Sequence, residues 1–168
     1  MRADELRTLQ APLKERYQAD ATTAEVTLSA TGTLDEGISC SVNTGRAIAA
    51  AGLHPASGGD GSLLCSGDML LEALVACAGV TLRAVATSLG VPVAGGTVSA
   101  EGDIDFRGTL GVSKEAPVGL HAIRLHFDLD TTASDEQLAT LLKLTERYCV
   151  VLQTLASSPE LSATMARA

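Results

Sequence analysis

Four cysteines, at positions 40, 65, 77 and 149, are the residues of this 168-residue chain best suited to covalent chemistry. A thiolate is a nucleophile, and two thiols within reach of each other can form and break a disulfide. The spacings are wide and include no Cys-x-x-Cys, so neither the usual zinc ligand pairs nor a thioredoxin-type motif is present. Each cysteine also has a plainer reading. Free cysteine is among the most buried residue types and often serves as a small hydrophobe, and burial raises a thiol's pKa. Cys40 alternates within a strand-like run and reads as packing; Cys65 lies in a loop and reads as an exposed bystander or a backup thiol. Cys77, in LLEALVACAGVTLRA, is flanked by Ala73, Ala76, Ala78 and Gly79, small residues that let a second helix approach. Cys149 lies in LTERYCVVLQTL, and if the two helices pack together their sulfurs can meet across the contact.

The other candidates carry less. His54, His121 and His126 form no spaced cluster, and even a catalytic zinc takes three protein ligands, so no metal is expected. The loop LHPASGGDGSLLCS, 53–66, precedes a helix and could in principle cradle an anion. It holds neither GxGxxG nor GxxxxGK[ST], and a flexible connector is the simpler reading. A net charge of -8, no Trp, two Tyr and two Phe leave little with which to neutralise phosphates or stack bases, so no nucleic-acid partner is expected. The N-terminus is charged throughout and lacks an apolar signal-peptide core. The most apolar run, Met69 to Leu89, is interrupted by Glu72 and Arg83 and reads as a buried helix rather than a membrane span. A cytoplasmic location and no membrane partner are the resulting expectations.

The elements that must position the thiols follow from periodicity. Residues 2–18 read as an amphipathic helix with Leu6, Leu9 and Leu13 on one face, weakened or bent at Pro12. Strand-like runs follow at Glu25–Thr31 and Ile38–Thr44, joined by a hairpin connection at Leu34–Gly37. A long helix runs from about Ser66 to Leu89, with Ser66 as N-cap, Asp68 in its first turn and Gly90 as its stop. It is apolar on nearly all sides, which marks a central helix. Val98, Ala100, Ile104 and Phe106 share one strand parity, and His121, Ile123, Leu125, Phe127 and Leu129 form a second period-two face, with 108–119 an exposed turn region between them. A capping box at Ser134–Gln137 opens a helix that continues or restarts through Leu155, and a short edge strand could follow near the end. The expected class is α+β, a mostly antiparallel sheet packing one face on two long helices.

The helix GDMLLEALVACAGVTLRAVA resembles the one that carries the first cysteine of the OsmC/Ohr family, where an L-L-x-A-L-x-x-C pattern recurs, here Leu70 to Cys77. The segment ERYCVVLQTL is similar to the helix bearing the family's second cysteine, and the separation of 72 residues also suits it. The resemblance covers roughly 24–168, so 1–20 would be an N-terminal extension and 21–168 the OsmC-like domain. It implies a two-layer α+β fold, an intertwined homodimer and active sites at the subunit interface. It also implies Cys77 as the peroxidatic thiolate and Cys149 as the resolving thiol of a peroxidase acting on organic hydroperoxides. A dithiol, of lipoyl type in relatives with this activity, would be the reductant, and neither a metal nor an organic cofactor would be needed. The alternative reading is a non-enzymatic dimer that binds an apolar small molecule in the interface pocket.

Hydroperoxidases of the family pair the thiolate with an arginine held by a glutamate. Asp68 lies close to that acidic position, and Arg46 in NTGRA is the nearest candidate for the cation. Arg83 and Arg147 fall on other helix faces than the cysteines beside them and read as surface charges. Val150 stands where many relatives have a proline, which predicts a less sharp turn after Cys149.

Overall fold

The period-two runs build one sheet. The computed structural model describes residues 3–34, 40–42 and 51–167. In it β1 (Glu25–Leu34) and β2 (Cys40–Val42) pair antiparallel, and a short two-stranded unit joins β3 (Ala51–Gly52) in parallel to β4 (Leu64–Cys65). Then β5 (Gly95–Asp105) and β6 (Leu120–Asp130) complete a four-stranded antiparallel sheet in the order β2-β1-β5-β6. The expected connection at Leu34–Gly37 lies, beyond Leu34, outside the described residues, as does most of the Ile38–Thr44 run other than β2.

Register explains which face is apolar. Val98 faces Phe127 and Ala100 faces Leu125, and both β5 residues are fully buried. Thr97, Ser99 and Glu101 alternate to the other face. A bulge between Asp103 and Ile104 shifts this pairing, so Leu120 rather than His121 stands opposite Ile104. His121 therefore leaves the apolar row predicted for it and meets Glu25 at 3.1 Å. Phe106 also leaves the strand: β5 ends at Asp105, whose side chain caps the short α3 (Phe106–Thr109).

The long helix α2 (Ser66–Leu89) packs on the apolar face against β1 and β5. Leu71, Leu74, Val75, Ala78 and Leu82 are buried there, each large side chain contributing ~1.5–3 kcal/mol of transfer free energy. By length and composition α2 could cross a membrane, but it lies in the core of this fold. Its N-cap is Cys65, one residue before the expected Ser66, and it stops at Gly90, whose φ of 66° is the left-handed conformation a glycine adopts without strain.

The second helical region is two helices, α4 (Asp135–Tyr148) and α5 (Val150–Ala156). The capping box at Ser134 and Gln137 forms as predicted. Both helices pack against α2, which the small residues around Cys77 permit. Residues 157–167 form no strand, so the expected terminal edge strand is absent. At the other end α1 (Ala3–Ala19) runs unbroken through Pro12. It docks through Tyr17, 1% exposed, whose hydroxyl donates to the Ala56 carbonyl at 2.6 Å.

Candidate functional site

Cys149 occupies the break between α4 and α5. Its ψ of 105° takes the backbone out of helical geometry for one residue, ending α4 and capping α5. The predicted mild turn after Cys149 is thus a full interruption, achieved without proline. The first N–H groups of a helix have no partner within it. Here those of Val150 and Val151 lie near the sulfur of Cys77 on α2 and favour its thiolate. The hydroxyl of Thr81, one turn after Cys77 on the same helix face, lies near that sulfur as well, and the Cys149 thiol completes the set.

The two thiols are driven apart by these surroundings. For Cys77 the largest single influence is burial, which pushes the thiol up. The Val151 N–H, the Cys149 thiol, the Thr81 hydroxyl and the Val150 N–H oppose it and together prevail, so Cys77 is held below the ordinary cysteine value. Cys149 is completely buried, and burial pushes it up to about 11; the neighbouring Cys77 adds to the rise, against the N–H of Leu152. Cys77 is therefore the more acidic of the two thiols and Cys149 the less. That division suits a nucleophile and a partner that reacts second.

The supporting residues named from the sequence are placed differently. Asp68 sits half-buried in the first turn of α2, nine residues before Cys77 and so ~13 Å away along the helix axis. Burial raises its carboxyl, with His54 acting in the opposite direction. Arg46 lies outside the described residues. Arg83 is more than a surface charge: it is half-buried, and its Nη1 donates to the Val93 carbonyl at 2.6 Å, tying α2 to the segment entering β5. Arg147 is exposed, over the Tyr148 ring at 5.5 Å. The donors that meet Cys77 were not named from the sequence. Thr81 was open to discovery from its spacing of four residues, and Val150 from the absence of proline, which lacks an N–H.

A sequence profile described as OsmC-like protein matches residues 59–164, more than half of the chain and inclusive of Cys77 and Cys149. The chain belongs to the OsmC-like family. Among solved structures it is similar to an OsmC-like hydroperoxide resistance protein from Jannaschia sp. CCS1, with a TM-score of 0.61 and 18% identity over 86% of this chain and 95% of that one. At that identity the likeness is one of fold. No curated protein matches the chain. The OsmC-like assignment agrees with the order of elements: the matched segment runs from the loop before α2 to the residues after α5.

Proposed function

We propose that this OsmC-like protein reduces organic hydroperoxides with Cys77 as the attacking thiolate and Cys149 as the resolving thiol. The observation that carries the reading is the placement of Cys77 against the buried cluster that holds Cys149, where α5 packs on α2, with the Cys77 thiol held low and the Cys149 thiol high. The thiolate of Cys77 attacks the outer oxygen of ROOH, the O–O bond breaks, and the leaving alkoxide takes up a proton to give ROH. Cys77 is then a sulfenic acid. Cys149 attacks its sulfur, water leaves, and a Cys77–Cys149 disulfide forms. A dithiol, of lipoyl type in this reading, attacks the disulfide, gives up two electrons and two protons to restore both cysteine thiols, and leaves as its own disulfide. Apolar surroundings favour an alkyl or aryl hydroperoxide over hydrogen peroxide, by ~0.8 kcal/mol for each buried CH₂.

We also read the protein as a cytoplasmic, intertwined two-layer homodimer. Tyr148 and Val150, large apolar residues 56% and 70% exposed beside the thiol pair, support that reading, because a second copy would cover them. A non-enzymatic binder remains the alternative, and it leaves the depressed Cys77 without a use.

Mixing the reduced protein with cumene hydroperoxide and counting thiols tests the proposal. Two thiols should disappear per protein, with a Cys77–Cys149 disulfide in the peptide map. Consumption of peroxide by Cys77→Ser at the parent rate would sink it.

A further inference from the structure

We infer that a second small-molecule site, separate from the thiol pair, lies at the N-terminal end of α2. A cavity of about 400 Å³ opens there, within the size range of ligand pockets. His54, Cys65, Leu70, Phe106 and Leu120 are among its walls, and Cys77 is not. Leu70 precedes Cys77 by seven residues, two helical turns or ~10 Å along α2.

The wall around His54 is fixed from several directions. Its Nδ1 accepts from the Ala56 N–H at 3.0 Å, and its ring stacks on Phe106 with centroids 5.0 Å apart. Helix α1 braces the same turn, Tyr17 bonding the Ala56 carbonyl and Gln10 the Ser57 carbonyl. A site held this way is formed before a ligand arrives, which reduces the ordering cost of binding.

The polar groups in the walls define the ligand. Ser57 and Thr109 already donate their hydroxyls to the carbonyls of His54 and Val118. With Nδ1 accepting, the ring proton of His54 sits on Nε2, a donor that has no partner among the described residues. Cys65 makes no capping bond, and its thiol and the Ser66 hydroxyl are likewise uncommitted among the described residues. Among the described residues no Asp, Glu, Lys or Arg lines the cavity, the Asp68 carboxyl interacts electrostatically with His54 from just outside it, and the chain's net charge of -8 disfavours an anion. The occupant is therefore an uncharged aryl or branched alkyl compound carrying one acceptor oxygen, an alcohol or a ketone. The apolar part fills the space between Leu70, Phe106 and Leu120, and the oxygen accepts from His54.

The test uses 1-naphthol on the reduced full-length protein. Iodoacetamide alkylation at Cys65 and Cys77 is followed separately by peptide mass spectrometry. At a probe concentration ~4 times its dissociation constant, alkylation of Cys65 should slow about fivefold while Cys77 changes by less than about twofold. Naphthalene, without an oxygen, should protect Cys65 less. His54→Phe keeps a ring against Phe106 and should erase the difference between the two probes. Leu70→Trp fills the cavity and should abolish protection by either. The inference is overturned if Cys65 is not protected, if Cys77 is protected equally, or if both variants protect as the parent does. None of these outcomes depends on peroxide turnover.

Discussion

At the helix junction the sulfur of Cys77 is met by two backbone N–H groups, a hydroxyl and a thiol, whereas on the outer face of the sheet charges are met by charges. Arg124 of β6 reaches Asp103 at 2.6 Å and Glu101 at 3.3 Å across the strands, and Arg107 grips Asp105 at 2.5 Å. The contrast teaches how an anion can be favoured in a half-buried place. A cation brought to Cys77 would itself lose water, and that cost offsets much of the attraction. Neutral donors that already lack partners at the start of α5 carry a smaller cost, since they must be satisfied in any case.

The largest effect should come from breaking the thiol pair. Cys149→Ser cannot form the disulfide, so the protein should react once with cumene hydroperoxide and then stall with Cys77 as a sulfenic acid. Multiple turnover with a dithiol should fall to the uncatalysed level, and dimedone should label Cys77 stoichiometrically. Sustained turnover in this variant would mean that Cys149 is only a core residue.

Removing single donors from Cys77 should have intermediate effects. Thr81→Val preserves shape and deletes one hydrogen bond to the thiolate. A bond to a charged group contributes ~1.5–3 kcal/mol, so alkylation of Cys77 at neutral pH should slow by about tenfold or more, with its pH profile displaced to higher pH. Thr81→Ser, which restores a hydroxyl, should recover most of the rate. Val150→Pro is the complementary test, because proline is tolerated at the first position of a helix yet has no N–H to donate. If both variants retain the parent pH profile, neutral donors are not what ionises Cys77, and the comparison with the sheet face loses its point.

Much of this arrangement was legible in the sequence, and the gaps have definite causes. Strand alternation and helix periodicity gave β5, β6, α2 and α4, and the capping box formed where Ser134 and Gln137 predicted it. Small residues around Cys77 left room for a second helix, but which thiol it would bring came from the family resemblance and not from those residues. His121 was misplaced because a β-bulge turns the side chains on one side of it to the opposite face, and no residue pattern marked that bulge. Phe106 was assigned to the strand because parity alone cannot see that Asp105 caps a helical turn after it. The activating groups were hardest to foresee, because two of them are backbone N–H groups and carry no side-chain signal.

Smaller effects should separate the two arginine pairs. Asp105 is buried, 3% exposed, and its carboxyl is held below the usual aspartate value chiefly by hydrogen bonds from Arg107. A depressed folded-state value means that the contribution to stability is complete above the unfolded value, ~3.9, and is lost as the pH falls through the folded one. Arg107→Ala should therefore lower the melting temperature by several degrees at pH 7, and the gap from the parent should close as the pH drops below about 4.

Arg124→Ala should do less, although Asp103 is also held below the aspartate range by hydrogen bonds from Arg124. The difference is solvent: the Arg124 side chain is 48% exposed, so water and salt already screen the ion pairs it makes. The melting temperature should shift by less than about 2 °C, and the shift should vanish in 1 M salt. Thermal melts of the two variants at low and high salt decide the matter. A loss from Arg124→Ala as large as that from Arg107→Ala, and insensitive to salt, would mean that the outer-face network holds β5 to β6. The sheet face would then be as much a structural site as the helix junction, and exposure would no longer distinguish charges that stabilise from charges that merely meet.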